Sequence, residues 1–338
     1  LGMRGQEDEP MSAGDNSELL QQIVADQRTI LQETFTDRPV ETVPQVWALY
    51  KEVQGFYERG MRVPDDVTLL WADDNYGNIR RLPTASERNR AGGAGVYYHF
   101  DYVGSPRSYR WINTVPMAKI WEQMQLAWHY QADRIWIVNV GDLKPMEFPI
   151  DFFLRMAWNP DAFNANNLQQ FAADWATQQF GPEHAATIAG LILGYTRHNG
   201  RRKPEAVEPG TYSIFHYSEA QRISDELAQL VATSDKVQQQ LTPKLHDAYI
   251  QLVAHPLKAS QAVFELNRAV ALNKLHGAQG RVSTNYWAQQ VRFWFNRDAE
   301  LTAQYHSLGD GRWNHMMSQP HIGFTYWRNP PANLMPVV

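Results

Sequence analysis

Carboxylates, amides, tyrosines and an arginine gather in this sequence just after short apolar runs. Arg4-Gly5-Gln6-Glu7-Asp8-Glu9 follows the first run, and Asp73-Asp74-Asn75-Tyr76-Gly77-Asn78 follows the second. A third run carries Tyr97, His99 and Asp101 at alternate positions and ends in Tyr102, and a fourth ends in Asn139, Asp142 and Lys144. Alternate positions share one face of a strand. Carboxylates among aromatics and amides suit glycoside cleavage, in which one carboxyl protonates the leaving oxygen and another activates water or attacks. An arginine beside them can hold a substrate carboxylate through two parallel hydrogen bonds. The chain has no cysteine and no His-rich spacing of the zinc kind, so neither a metal nor a cofactor is expected.

Each of these residues also has a structural reading. Asp73 or Asp74 caps a βα turn, His99 is a hydrogen-bonded interior residue, and Asp101 partners a nearby arginine. Glu52 falls on the flank of an amphipathic pattern, where spacing alone makes it a solvated helix position. The aromatic side chains offer flat faces to sugar rings, and they fill cores equally well.

The elements that must position these residues alternate in type up to about residue 158. Strands are expected at residues 1–4, 67–71, 95–102 and 134–140. Asp15 and Glu18 have capping-box spacing ahead of a helical stripe with Leu19, Ile23 and Ile30. Val46, Leu49, Tyr50, Val53, Phe56 and Tyr57 line one side of a second helix, and a third covers residues 117–131. Strand alternating with helix is the pattern of a parallel sheet covered by helices. Four strands in some 150 residues amount to about half of an eight-stranded (β/α) barrel, which takes about 250. A small open doubly wound sheet is the alternative, but no Gly-rich phosphate turn follows any strand.

From about residue 160 only helical stripes follow, around Ile188, Ile223, Leu245, Val263 and Trp287. Thr242-Pro243 reads as an N-cap with proline at the first helical position, and Ser218 with Gln221 as a capping box. About five such helices make a bundle. The expected organisation is therefore 1–160, the C-terminal half of a catalytic (β/α)8 barrel, then 161–325, an all-α bundle, then 326–338, the start of a linker. The net charge of −5 speaks against a nucleic-acid partner, which calls for a basic surface. No apolar run approaches the roughly 20 residues that cross a bilayer, so no membrane partner is expected.

Several long motifs resemble glycoside hydrolase family 115. They are Gly2-Met3-Arg4-Gly5 with Asp8-Glu9-Pro10-Met11, the stretch 61–80 containing Trp71-Ala72-Asp73-Asp74-Asn75-Tyr76-Gly77-Asn78, and Gly92-Gly93-Ala94-Gly95 with Tyr97-Tyr98-His99-Phe100-Asp101-Tyr102. Further along, Trp136 to Pro145, Arg201-Arg202-Lys203-Pro204-Glu205 and Trp313-Asn314-His315-Met316-Met317 also fit. The resemblance implies removal of glucuronic acid, or its 4-O-methyl ether, from the 2-position of xylose in glucuronoxylan or its oligosaccharides. It implies inversion on a barrel and a secreted or periplasmic location. It also implies further chain on both sides, with a C-terminal β-sandwich, and a homodimer through the bundle and that domain. By the same resemblance Glu52, Asp8 and Asp73 are the catalytic candidates, with Glu52 taken as the acid. Arg4, Asn75, Tyr97, His99 and Tyr102 are the substrate-binding ones. Two rivals stand beside this reading: an incomplete chain that only binds carbohydrate or dimerises, and an α-glucuronidase for another uronic-acid-bearing glycan.

Overall fold

The computed structural model describes residues 1–5 and 9–338. Asp8 lies outside the described residues. Four strands, β1 (Val46–Leu49), β2 (Thr68–Ala72), β3 (Ala94–His99) and β4 (Trp136–Asn139), form one parallel sheet in chain order. Leu49 pairs with Trp71, Ala72 with Tyr97, and His99 with Asn139, so all four carboxyl ends reach the same edge.

Burial explains the strand composition. β2 is buried along its whole length, and Leu69, Leu70 and Trp71 fill both of its faces. Its one polar member, Thr68, donates its hydroxyl to the Gly92 carbonyl at 2.7 Å. β3 and β4 approach so closely that a Cβ on Gly95 would collide with the Ile135 carbonyl. β4 is the least covered strand: Ile137 is 39% exposed.

Two expectations for the first 60 residues are corrected. Residues 1–4 form no strand; the Leu1 nitrogen instead donates to the Val46 carbonyl at 2.7 Å, and the Gly2 N–H to Gln27 Oε1 at 2.8 Å. The helix expected over Val46 to Tyr57 is two elements, β1 and then α2 (Glu52–Glu58), with a turn at Lys51. Its apolar spacing satisfies a helical period, but Trp47 and Leu49 are the buried pair of β1 and alternate with half-covered neighbours, a period of two. Trp47 then meets Tyr57 of α2 with ring centroids 5.9 Å apart, and Tyr57 meets Trp71 of β2 edge-on at 5.5 Å.

Thr242 is the N-cap of the short 3-10 helix Pro243–Leu245, with the proline in its first positions as expected, while the two capping boxes are replaced by other contacts. In α1 (Ser17–Thr34) the N-cap is Asn16 without a side-chain bond, and Asp15 accepts the Ser17 N–H at 3.0 Å. The chain connects β3 to β4 through α3 (Met117–His129), and α4 (Glu147–Trp158) follows β4.

The chain divides into two compact units that interleave along it. The first comprises Leu1–His99, Lys119–Asn139 and Ala157–Pro160; the second comprises Phe100–Ala118, Val140–Met156 and Asp161–Val338. The whole sheet belongs to the first unit. The second carries α5 (Leu168–Phe180), α6 (Ala185–Arg201), α7 (Glu219–Gln240), α8 (His246–Tyr249), α9 (His255–Ala278) and α10 (Thr284–Gly311). At the start of α7, Ser218 adopts a left-handed φ of 51° and makes no cap bond, while Glu219 turns back to accept the Ser213 N–H at 2.7 Å. α8 runs into α9 through a π-helical turn, Ile250–Ala254. Pro256 has no N–H to give and its ring crowds the preceding turn, and the widened turn takes up both demands. Among the described residues no helix is long and apolar enough to cross a membrane.

The second unit buries ionisable side chains deeply. His255 is fully covered, and loss of hydration pushes its pKa down to about 4 although Asp298 pulls the other way. Burial likewise lowers His198 to about 4. His321 behaves oppositely. Burial alone would lower it, but Nε2 faces Asp298 Oδ1 at 3.0 Å and Nδ1 faces the Gln319 carbonyl at 2.8 Å, and the net pKa is raised. Its ring stacks on Trp111 with centroids 3.4 Å apart.

These shifts set a pH dependence. Neutral His255 and His198 stabilise the fold fully above their ordinary value of 6.5, and that contribution is lost as pH falls toward about 4. His321 stabilises fully below 6.5 and its contribution is lost as pH rises through its raised value. Urea unfolding at pH 7 and pH 4.5 should show the contribution of His255 lower at the acid end, by about 2 kcal/mol. His255→Gln should flatten that slope.

Candidate functional site

The loops after β1 and β2 and the end of β3 bring most of the expected site residues to one edge of the sheet. Tyr50, Lys51 and Glu52 follow β1, Asp73 and Asn75 follow β2, and Tyr97 and His99 close β3. Tyr50 is the hub. Its ring stacks on His99 at 5.4 Å and lies 6.1 Å from that of Tyr97, while the Arg4 guanidinium sits 5.2 Å and the Lys51 ammonium 4.9 Å from its centre.

Arg4 holds Glu52 through a two-pronged fork: Nε donates to Oε1 at 3.0 Å and a terminal nitrogen to Oε2 at 2.9 Å. Both side chains are partly open, at 18% and 23% exposure. Glu52 is the first residue of α2, where a carboxylate also meets the positive end of the helix. It is thus no solvated helix flank.

Asp73 and His99 form a second pair. His99 Nδ1 lies 2.5 Å from Asp73 Oδ1, and the His99 backbone N–H donates to Oδ2 at 3.2 Å. A carboxylate at Nδ1 fixes the orientation of the imidazole. The Asp73 side chain has no exposed surface, and burial raises its pKa against the pull of the His99 hydrogen bonds. The turn-capping role falls to Asp74 instead, whose Oδ1 accepts the N–H groups of Tyr76 and Asn78 at 2.8 and 3.0 Å. Asn75 is buried at the same turn, and Tyr97 is half-buried 4.3 Å from the His99 ring.

Three of the residues singled out in the sequence lie in the second unit. Tyr102 belongs to the second unit, buried and exchanging two 3.0 Å backbone hydrogen bonds with Tyr109. Asp101 there faces the Arg110 Nε at 3.5 Å, and a Cβ on Gly141, which has a φ of 60°, would strike its carboxylate. Lys144 pairs with Glu147 at 2.6 Å.

Two members of the cluster, Tyr50 and Lys51, are missed when β1 is read as helix. The signal is the tetrapeptide Val46-Trp47-Ala48-Leu49, a short β-prone run that ends directly before Tyr50-Lys51-Glu52. Lys51 has a φ of 51° and a ψ of −120°, a conformation that costs a non-glycine residue on the order of 1–3 kcal/mol. Burial first, and then Arg4, lower its pKa to about 8, with Glu52 and Glu9 pulling upward. Among the described residues no group of three or more His, Asp or Glu side chains is placed to hold a metal ion.

A parallel sheet with carboxylates, an arginine, an imidazole and tyrosines crowded at its carboxyl edge is an α/β framework of the hydrolase kind. The chain belongs to glycosyl hydrolase family 115, whose model matches residues 1–206. It is also similar to the solved structure of BtGH115A, described as a family GH115 4-O-methyl-α-glucuronidase with specificity for decorated arabinogalactans. The two are 31% identical with a TM-score of 0.82, over 99% of this chain and 46% of that one. The chain thus spans less than half the length of that relative. No curated protein matches.

The Asp73–His99 pair makes a stability test. Asp73→Ala leaves a buried imidazole N–H without its acceptor and should lower unfolding free energy by about 1–3 kcal/mol. Asp73→Asn keeps an acceptor there and should lower it less. Urea denaturation of both variants compares them, and equal losses would show that the hydrogen bond to Nδ1 contributes nothing.

Proposed function

We propose that this chain carries the C-terminal half of a (β/α)8 catalytic barrel, followed by a helical bundle, in an inverting α-glucuronidase. Support for the barrel comes from the strand order. β1 to β4 run parallel in sequence order with no reversal, as barrel strands do, whereas a doubly wound sheet reverses at a switch point. The observation that carries the function is the gathering of Arg4, Glu52, Tyr97 and His99 about Tyr50 in a chain of this family.

In this reading Arg4 recognises the uronate carboxylate. Its fork already fits one carboxylate, that of Glu52, so a uronate that takes the fork frees the Glu52 carboxyl for the leaving oxygen. Glu52 is the acid, Asp8 is the opposing carboxyl, and Asp73 acts by holding His99. Asn75, Tyr97 and Tyr102 complete sugar binding. An inverting pair stands roughly 6.5–9.5 Å apart so that water fits between sugar and base.

The first substrate reading is α-1,2-linked glucuronic acid, or its 4-O-methyl ether, on xylan. The similarity to BtGH115A favours a second, decorated arabinogalactan. A polysaccharide substrate places the enzyme outside the cytoplasm, secreted or periplasmic. A homodimer built through the helical unit is part of the same proposal.

Glucuronoxylan and arabinogalactan incubated with the full-length protein and followed by proton NMR test these points together. Released β-glucuronic acid, appearing before mutarotation, is the expected first product. The α-anomer appearing first removes inversion, and release from arabinogalactan alone removes xylan. Arg4→Lys, which keeps the charge but not the planar fork, should cost about 10- to 100-fold in kcat/KM. Unchanged kinetics would take Arg4 out of the site.

A further inference from the structure

The end of α6, the start of α7 and the loop that joins them line a cleft of about 860 Å³ within the second unit. That is more space than a lone anion fills, and it falls in the range of roughly 300–1,000 Å³ that holds drug-sized molecules. Charge in the cleft is unevenly committed. Glu226 accepts from Arg197 at 2.8 Å and from Arg201 at 3.0 Å, Glu208 accepts from Arg107 at 2.8 Å, and Glu219 takes the Ser213 N–H at 2.7 Å. Arg202 and Arg222 are left over. Each is anchored at Nε by a backbone carbonyl, Arg202 by that of Ala206 at 2.8 Å and Arg222 by that of Tyr217 at 3.0 Å. Among the described residues no acceptor meets the terminal nitrogens of either guanidinium. A guanidinium tied at Nε presents its other N–H donors in a set plane, the geometry that suits a carboxylate. Much of the cost of ordering these two long side chains is met before any ligand arrives.

The loop that supplies Tyr212 to the cleft also carries Phe215 and Tyr217, 67% and 92% exposed. Neither ring fills a core, and both offer flat faces to a sugar. Fixed carboxylate donors beside exposed rings match a uronic acid, which joins both features in one molecule. We propose that this cleft is a glycan site of the helical unit's own, in which Arg202 and Arg222 hold uronate carboxylates of a polysaccharide chain, and that none of the catalytic candidates takes part in it. The choice of a uronate-bearing polymer rests on the glucuronidase reading above; the anion site rests on the two arginines. Such a site raises the local concentration of polymer at the enzyme and does nothing for a short substrate that cannot reach both places.

Native gels cast with glucuronoxylan or decorated arabinogalactan, each intact or with its carboxyls reduced to alcohols, measure retention of the full-length protein. The double variant Arg202→Gln, Arg222→Gln should bind the intact polymers about tenfold more weakly and the reduced polymers as the wild type does. Its KM should rise on polymer with kcat kept, while kcat/KM on a short glucuronate-bearing oligosaccharide is unchanged. Salt should weaken retention of the wild type more than that of the variant. Arg202→Lys with Arg222→Lys keeps the charges and should recover part of the retention, and urea unfolding at the wild-type midpoint shows that each variant is folded. Undiminished retention of the glutamine variant by the intact polymers overturns the site. Equal losses on intact and reduced polymers overturn the uronate as its ligand. A wild type that is retained through these arginines and releases no glucuronic acid removes the glucuronidase reading and leaves the cleft standing.

Discussion

Parallel strands cannot be joined by a hairpin, so every connection from β1 to β4 leaves the sheet at its carboxyl edge and returns at the other. That constraint places Tyr50-Lys51-Glu52, Asp73-Asp74-Asn75 and His99 side by side although some fifty residues separate them. The Asp73 carboxylate then ties the edge together. It leaves β2, reaches across to β3 and takes both the backbone N–H and the ring of His99. His99 in turn carries the Tyr50 ring, and Tyr50 carries the two cations. A chain of contacts thus runs from a wholly buried carboxylate to a partly open ion pair.

The helical unit solves a different problem. It has to bury histidines and a carboxylate that a bilayer-like core would reject. Glu205 shows the solution: fully covered, with its pKa raised by burial, it still accepts the Arg110 backbone N–H at 3.0 Å. Lys203 lies over the ring of Tyr109 at 3.6 Å and donates to Thr114 at 3.0 Å. The Arg-Arg-Lys-Pro-Glu motif therefore sews segment 108–114 to the start of the loop after α6.

How much of this was legible in the sequence depends on how local the governing interaction is. β2 and β3 announce themselves because burial on both faces demands long apolar and aromatic runs, and β4 shows as the run Trp136-Ile137-Val138 although none of its residues is buried. β1 did not, because four residues are too few to separate a period of two from a helical one, and Val53, Phe56 and Tyr57 extend the helical pattern. That misreading hid Tyr50 and Lys51. Asp73 and Asp74 could not be told apart, since both precede the same turn; only the position of His99, twenty-six residues later, decides which carboxylate caps and which reaches across. Spacing made Glu52 a surface residue and family resemblance made it a site residue; its partner Arg4 lies forty-eight residues away, beyond any local pattern. α5 was passed over because alanine and aromatic residues, rather than leucine and isoleucine, make its buried face.

The stacking of His321 on Trp111 has an optical consequence. An imidazolium in van der Waals contact with an indole accepts an electron from its excited state, so Trp111 is a dark fluorophore while the pair is intact. With Nδ1 and Nε2 both facing oxygen acceptors, the charged form of the ring is favoured and its pKa is raised, and it is that form that quenches the indole. Loss of the pair turns that tryptophan on, so light emission from this one side chain reports whether segment 108–114 and the stretch around residue 321 are still joined.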